Sequence, residues 1–188
     1  MFKSLPNALT LLRIGLVPVI YICYLNPGFY GDWAAVAVFT LAGASDFLDG
    51  YLARRYNLQS KLGRMLDPIA DKLMVCTALV LLVADGSIYS WHLIAAIIIL
   101  CRELMVSGLR EFLMESRVAL PVTALAKYKT VIQMVAMGFL LSVPSGTAVL
   151  AKAWEIGLVL FWASALLTLW TGLGYLRTSL THIASAGE

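Results

Sequence analysis

Four aspartates within one short stretch carry the strongest chemical signal in this sequence: Asp46 and Asp49, then Asp67 and Asp71. On a helix, residues three apart sit about 60° around the axis and residues four apart about 40°. Each pair therefore lines one helix face. The stretch between the pairs, 55–62, is short and polar, so two antiparallel neighbouring helices with both pairs at one depth are expected. Four carboxylates converging near an apolar boundary repel one another unless protons or cations intervene. Hard divalent ions serve best, because Mg²⁺ takes carboxylate oxygens and keeps positions open for phosphate oxygens. Two such ions, about 3.5–4 Å apart, make the clamp used in phosphoryl transfer. Arg54 and the small residues Gly50, Ala53 and Gly63 stand beside the acids. They suit a diphosphate that approaches backbone and guanidinium closely. A solvated loop or an N-cap at Asp67 accounts for one aspartate, but not for four in register with apolar residues between them.

A second polar set follows: Arg102-Glu103, Ser107 and Arg110-Glu111, then Lys127-Tyr128-Lys129-Thr130 and Gln133. Lys129 and Gln133 are four apart and share a helix face, whereas Arg102 and Arg110 align more loosely. Cations beside a metal clamp suit an acceptor that is itself phosphorylated. Arg102, Arg110, Lys127, Lys129, Thr130 and Gln133 are the candidates to hold that phosphate. The alternative is an ordinary basic flank touching anionic headgroups. That alternative suits Arg117 better than Arg102, which sits well inside an apolar segment.

The elements that must position these groups are membrane helices. Of 188 residues, 61% are apolar and 13% charged, with a mean hydropathy of +0.85. A soluble domain runs nearer ~45–50% apolar and ~25% charged. A water-soluble globule, a disordered chain and a disulfide scaffold are excluded, leaving an all-α integral membrane protein of one domain spanning 1–188. Six spans are expected, at Leu9–Leu25, Gly31–Ala53, Gly63–Ala84, Tyr89–Leu109, Ala124–Val143 and Trp154–Leu176, each near the ~20 residues that cross ~30 Å of hydrocarbon. Asn26-Pro27-Gly28, Asp85-Gly86-Ser87 and Pro144-Ser145-Gly146 break them apart. Of the 14 Lys and Arg, all but Lys152 fall on one side, which assigns both termini to the cytoplasm. The opening residues do not read as a cleavable signal peptide.

The remaining residues read blandly. Cys23, Cys76 and Cys101 lie in apolar surroundings without a CxxC pair and act as small hydrophobes. His92 and His182 are too far apart for a zinc site. A formal charge of +3 without a basic tract gives no reason to expect nucleic acid. Trp33, Tyr89, Trp91 and Trp154 lie near span ends as an interfacial belt. Ala42-Gly43-Ala44-Ser45 and Gly172-x-Gly174 suit close helix approach. A cation transporter would need acids at successive depths, but here the acids stay at one level.

The pattern Asp46-x2-Asp49-Gly50-x2-Ala53-Arg54-x8-Gly63-x3-Asp67-x3-Asp71 resembles the signature of the CDP-alcohol phosphatidyltransferases, eight fixed residues with their spacing intact. The resemblance implies six transmembrane helices, a homodimer and a cytoplasm-facing site with two divalent ions, Mg²⁺ or Mn²⁺. It implies that Asp46, Asp49 and Asp67 are metal ligands and that Asp71 is both close to the metals and the catalytic base. The opening Leu5-Pro6-Asn7-x-Leu9-Thr10-x2-Arg13, with Arg102-Glu103, Ser107, Leu109-Arg110-Glu111, Lys127-x-Lys129-Thr130 and Gln133, is similar to the bacterial branch whose acceptor is glycerol 3-phosphate. That likeness implies CDP-diacylglycerol as donor, with Asn7, Thr10, Arg13, Gly50, Ala53, Arg54 and Gly63 around it. It also implies phosphatidylglycerol phosphate and CMP as products, and the bacterial inner membrane as location. Sibling acceptors (inositol phosphate, serine, phosphatidylglycerol) remain open. The last span adds little to the likeness.

Overall fold

The computed structural model describes residues 5–26, 28–55, 61–115, 124–143 and 151–186. Six long helices account for nearly all of them: α1 (Leu5–Tyr24), α2 (Phe29–Arg55), α3 (Lys61–Ala84), α4 (Leu93–Glu115), α5 (Ala124–Leu141) and α6 (Ala153–Ala186). A short 3-10 turn, Ser90–His92, leads into α4, and no strand occurs among the described residues. The apolar stretches expected from the sequence form the middles of these helices. Polar ends extend several of them, because helical hydrogen bonding continues wherever water or headgroups solvate the side chains. α4 starts at Leu93 rather than Tyr89, since Ser90 takes φ +52° and the intervening turn is 3-10.

Three helices carry stretches long and apolar enough to cross a bilayer: Asn7–Tyr24, Ser90–Leu113 and Ala153–Arg177. α2 and α3 have comparable lengths, 27 and 24 residues, but their adjoining halves carry Asp46, Asp49 and Arg54, and Lys61, Asp67, Asp71 and Lys72. α5 contributes a shorter apolar stretch, Tyr128–Leu141. Leu11, Ile22, Leu41, Val80, Ile97, Leu166 and Trp170 all point outward. So much exposed large apolar surface is a liability in water and matches hydrocarbon, which makes this a membrane protein.

Packing joins two groups of three. α1 packs against both α2 and α3, α6 packs against both α5 and α4, and α2–α5, α3–α4 and α3–α5 contacts join the halves. α2 and α3, expected as direct neighbours, touch only slightly; α1 fills the space beside them. Ile20, Phe39, Ala42, Ala78, Leu82, Ile99, Met137, Leu140, Phe161 and Ala165 make one continuous core. Small residues set the spacing: a Cβ on Gly43 would lie 2.5 Å from Met134 Cε, and one on Gly157 2.9 Å from Leu140.

The end of the bundle away from the aspartates is closed by aromatic rings. Tyr89 stacks on Trp154 at 6.0 Å and Trp91 on Trp162 at 5.1 Å. The Trp162 indole donates to His92 Nδ1 at 3.0 Å, and the Trp154 indole donates to the Ser87 carbonyl at 3.0 Å. Gly86, at φ +76°, ends α3 in the left-handed conformation that favours glycine. Beside it, Asp85 accepts the Ser87 N–H at 2.7 Å. Burial pushes the Asp85 carboxyl above its usual range; the Ser87 hydrogen bonds oppose this and Asp32 adds to it. A carboxyl whose pKa is raised in the fold favours the fold when protonated, and that contribution is lost as pH rises through the folded value. Asp85→Asn keeps an acceptor oxygen and removes the charge. It is expected to raise the melting temperature at pH 7 by roughly 2 °C. Unfolding in detergent at falling pH should show the difference closing towards the ordinary value of 3.8.

Candidate active site

The first turns of α1 organise the acids. Thr10 and Arg13 are three apart, so they share a face, and both are buried. Thr10 Oγ1 donates to Asp67 Oδ1 at 2.6 Å. One guanidinium nitrogen of Arg13 reaches Asp71 Oδ1 at 2.7 Å and Asp46 Oδ1 at 2.8 Å. Asp46 of α2 and Asp67 and Asp71 of α3 are thereby brought to one level by α1, not by direct α2–α3 packing. Asp67 lies well inside α3, so it is not a helix cap.

Exposure divides this cluster into a back and a front. Arg13 is fully buried, whereas the side chains of Asp46 and Asp71 are 41% and 48% exposed. The guanidinium neutralises the carboxylates from inside while their outer edges stay open. The acids offer only oxygen donors, the type hard divalent ions prefer, but with Arg13 between Asp46 and Asp71 no group of three among the described residues is placed to hold a metal ion. The side chains of Asp49, Ala53, Arg54 and Lys127 lie outside the described part of the structure. Gly50 and Gly63 are helical, on α2 and α3, and Asn7 stands one turn before Thr10 on α1.

The cations form a second cluster at the same end. Lys72, next to Asp71, donates to Ser107 Oγ, which places it against α4. One turn before Ser107, Glu103 accepts from Lys129 of α5 and lies 3.7 Å from Arg102. Arg102 donates to Thr171 Oγ1 of α6 at 3.1 Å, and its Cγ would lie 2.9 Å from any Cβ on Gly172. Arg110 donates to the Tyr175 hydroxyl at 2.9 Å and sits 5.0 Å from the ring centre. Gln133 is buried beside Lys129 on α5, and its Oε1 has no hydrogen-bond partner among the described residues. Thr130 is exposed.

Arg102, Arg110, Lys129 and Gln133 are thus gathered between α4, α5 and α6. The last helix matters more than the sequence suggested. Thr168, Thr171 and Tyr175 follow an i, i+3, i+7 spacing, a polar stripe in an otherwise apolar segment that would have pointed to it.

The chain belongs to the CDP-alcohol phosphatidyltransferase family, whose sequence profile matches residues 3–170. Among curated relatives, a protein of Rickettsia typhi is 42% identical over 182 residues, covering 96% of this chain and 99% of the relative. Similar proteins of Cereibacter sphaeroides and Pseudomonas fluorescens are 38% and 39% identical, covering 96% and 98% of this chain and 97% and 94% of their own lengths. All three bear the name CDP-diacylglycerol–glycerol-3-phosphate 3-phosphatidyltransferase. The family is in general metal-dependent, in keeping with the carboxylate donors.

Proposed function

We propose that this enzyme transfers the phosphatidyl group of CDP-diacylglycerol to sn-glycerol 3-phosphate, releasing CMP and forming phosphatidylglycerol phosphate. One observation carries the reading: the open carboxylates and the cluster of Arg102, Arg110 and Lys129 lie at one end of the bundle, linked through Lys72 and Ser107. A donor diphosphate and an acceptor phosphate thus have separate receivers side by side. The names of relatives that match along nearly their whole length support the same pair of substrates.

In this reading Asp71 accepts the proton of an acceptor hydroxyl. The freed oxygen pair bonds to the lipid-bearing phosphorus, and the bond from that phosphorus to the CMP oxygen breaks with its electrons leaving on CMP. Asp46, Asp49, Asp67 and Asp71 would hold two divalent ions, Mg²⁺ or Mn²⁺, which supply charge neutralisation on the diphosphate. Arg54 holds donor phosphate, with Asn7, Gly50, Ala53 and Gly63 around the cytidine side, while Thr10 and Arg13, expected there from the sequence, are buried and act on the donor only through the acids they hold. Arg102, Arg110, Lys127, Lys129, Thr130 and Gln133 receive the acceptor. Six spans, a homodimer, and both termini and the active site on the cytoplasmic side of the inner membrane complete the proposal.

The test is release of labelled CMP from CDP-diacylglycerol by purified protein with each alcohol in turn. Glycerol 3-phosphate should exceed serine by at least about a hundredfold, because the pocket cations penalise an acceptor lacking a phosphate; inositol phosphate and phosphatidylglycerol, which carry one, test the fit of the rest of the acceptor. A chelator should stop the reaction and added Mg²⁺ or Mn²⁺ restore it. Equal rates with serine would reject the acceptor assignment.

A further inference from the structure

We infer that Glu103 is a positioning residue for the acceptor's phosphate, acting through Lys129; the inference rests on the acceptor pocket proposed above. A carboxylate in a phosphate pocket is electrostatically out of place, since it opposes the very ligand the cations attract. The other two cations lean on further partners, although Arg102 also lies 3.7 Å from Glu103. Arg102 is secured by Thr171 at 3.1 Å, and Arg110 by the Tyr175 hydroxyl at 2.9 Å and by the face of its ring. Both are planar guanidiniums, whose fork limits where they can point.

Lys129 is a different case. It carries a compact ammonium on a flexible stem and is 2% exposed. Glu103 of α4 pairs with that ammonium. Without this partner, so deeply buried a cation is left uncompensated and swings out or sheds its proton. Glu103 is itself one-quarter exposed and 3.7 Å from Arg102, so it ties the two cations together from the rim of the cluster. Even with Glu103 counted against them, the acceptor cations leave the cluster net positive, which suits the roughly −1.5 to −2 of a phosphate monoester near pH 7.

The experiment uses the full chain in detergent, with CMP release followed against both substrates. Glu103→Gln is expected to raise the KM for glycerol 3-phosphate about tenfold, leaving kcat and the KM for CDP-diacylglycerol within about twofold. Glu103→Asp, which keeps the charge, should recover part of the loss. Lys129→Met should show a similar KM rise, and the double variant should be no worse than Lys129→Met alone, because one residue works through the other. Three results would overturn the inference. These are a KM lowered by Glu103→Gln, a double variant whose losses multiply to about a hundredfold, or a fall in kcat and melting temperature with the KM unchanged. If Lys129→Met itself leaves the KM unaltered, it is the acceptor pocket that fails, and Glu103 with it.

Discussion

Asp71→Asn is expected to cut CMP release by about a thousandfold or more, within the range attributed to a single well-placed general base. The substitution is nearly isosteric. The amide oxygen can still accept the hydrogen bond from Arg13 that the carboxylate accepts at 2.7 Å, so the link between α1 and α3 survives. What disappears is the negative charge and the capacity to take a proton. The side chain is about half exposed, so the loss falls on the open face of the site and leaves the core intact. CDP-diacylglycerol should still raise the melting temperature of the variant, since the donor residues proposed on α1 and α2 are unchanged. Asp67→Asn is the informative companion. Thr10 continues to orient that side chain, but Asp67 is proposed to hold metal without serving as the base, so added Mg²⁺ should rescue Asp67→Asn in part and Asp71→Asn scarcely at all. Full turnover by Asp71→Asn would remove it from the base role.

How the acids are held was only partly legible in the sequence. The pairing of Asp67 with Asp71 followed from helical spacing, because a period of 3.6 residues is a local property. The bonds from Thr10 and Arg13 join residues 57 and 58 positions apart, and no local period encodes a contact at that separation. The hint available was an arginine inside an apolar segment, which is costly unless paired. It points to Arg13 but not to its partners, and Arg13 is a candidate only through the family resemblance. The shortness of 55–62 argued for α2 and α3 as neighbours, yet a short connection fixes only where two helix ends meet. It does not fix which third helix packs along both, and α1 does so here.

Glu103 shows the same limit. Beside Arg102 in sequence it reads as one half of a local charge pair, but consecutive helical residues point about 100° apart. Its closest partner, Lys129, is supplied by α5 and emerges only once α4 and α5 have both packed against α6. The stripe Thr168, Thr171 and Tyr175 is the opposite case. Its spacing was readable, but the strongly apolar surroundings drew attention to span length and away from periodicity.

Arg13→Met should be the most damaging single change to both fold and activity, and the two effects can be separated. Removing the guanidinium leaves Asp46 and Asp71 facing each other across the space its nitrogen occupied, with the site backed by hydrocarbon instead of a cation. Breaking a fully buried ion pair costs about 3–5 kcal/mol. Both carboxylates here keep an exposed edge that water still screens, so about 2 kcal/mol is the better expectation. For a chain of this length that corresponds to a fall in melting temperature of roughly 4–8 °C. Arg13→Lys should recover little, since one guanidinium nitrogen bridges both acids at 2.7 and 2.8 Å and the shorter lysine cannot bring its ammonium to that point. Adding Asp46→Asn to Arg13→Met removes the repulsion. Most of the lost melting temperature should return, because an amide and a carboxylate can sit side by side where two carboxylates cannot. Activity should not return, since the double variant lacks a proposed metal ligand. Thermal unfolding and CMP release on the same three preparations check this. If the double variant melts as low as Arg13→Met, the guanidinium stabilises α1 through its packing and not by neutralising the two acids.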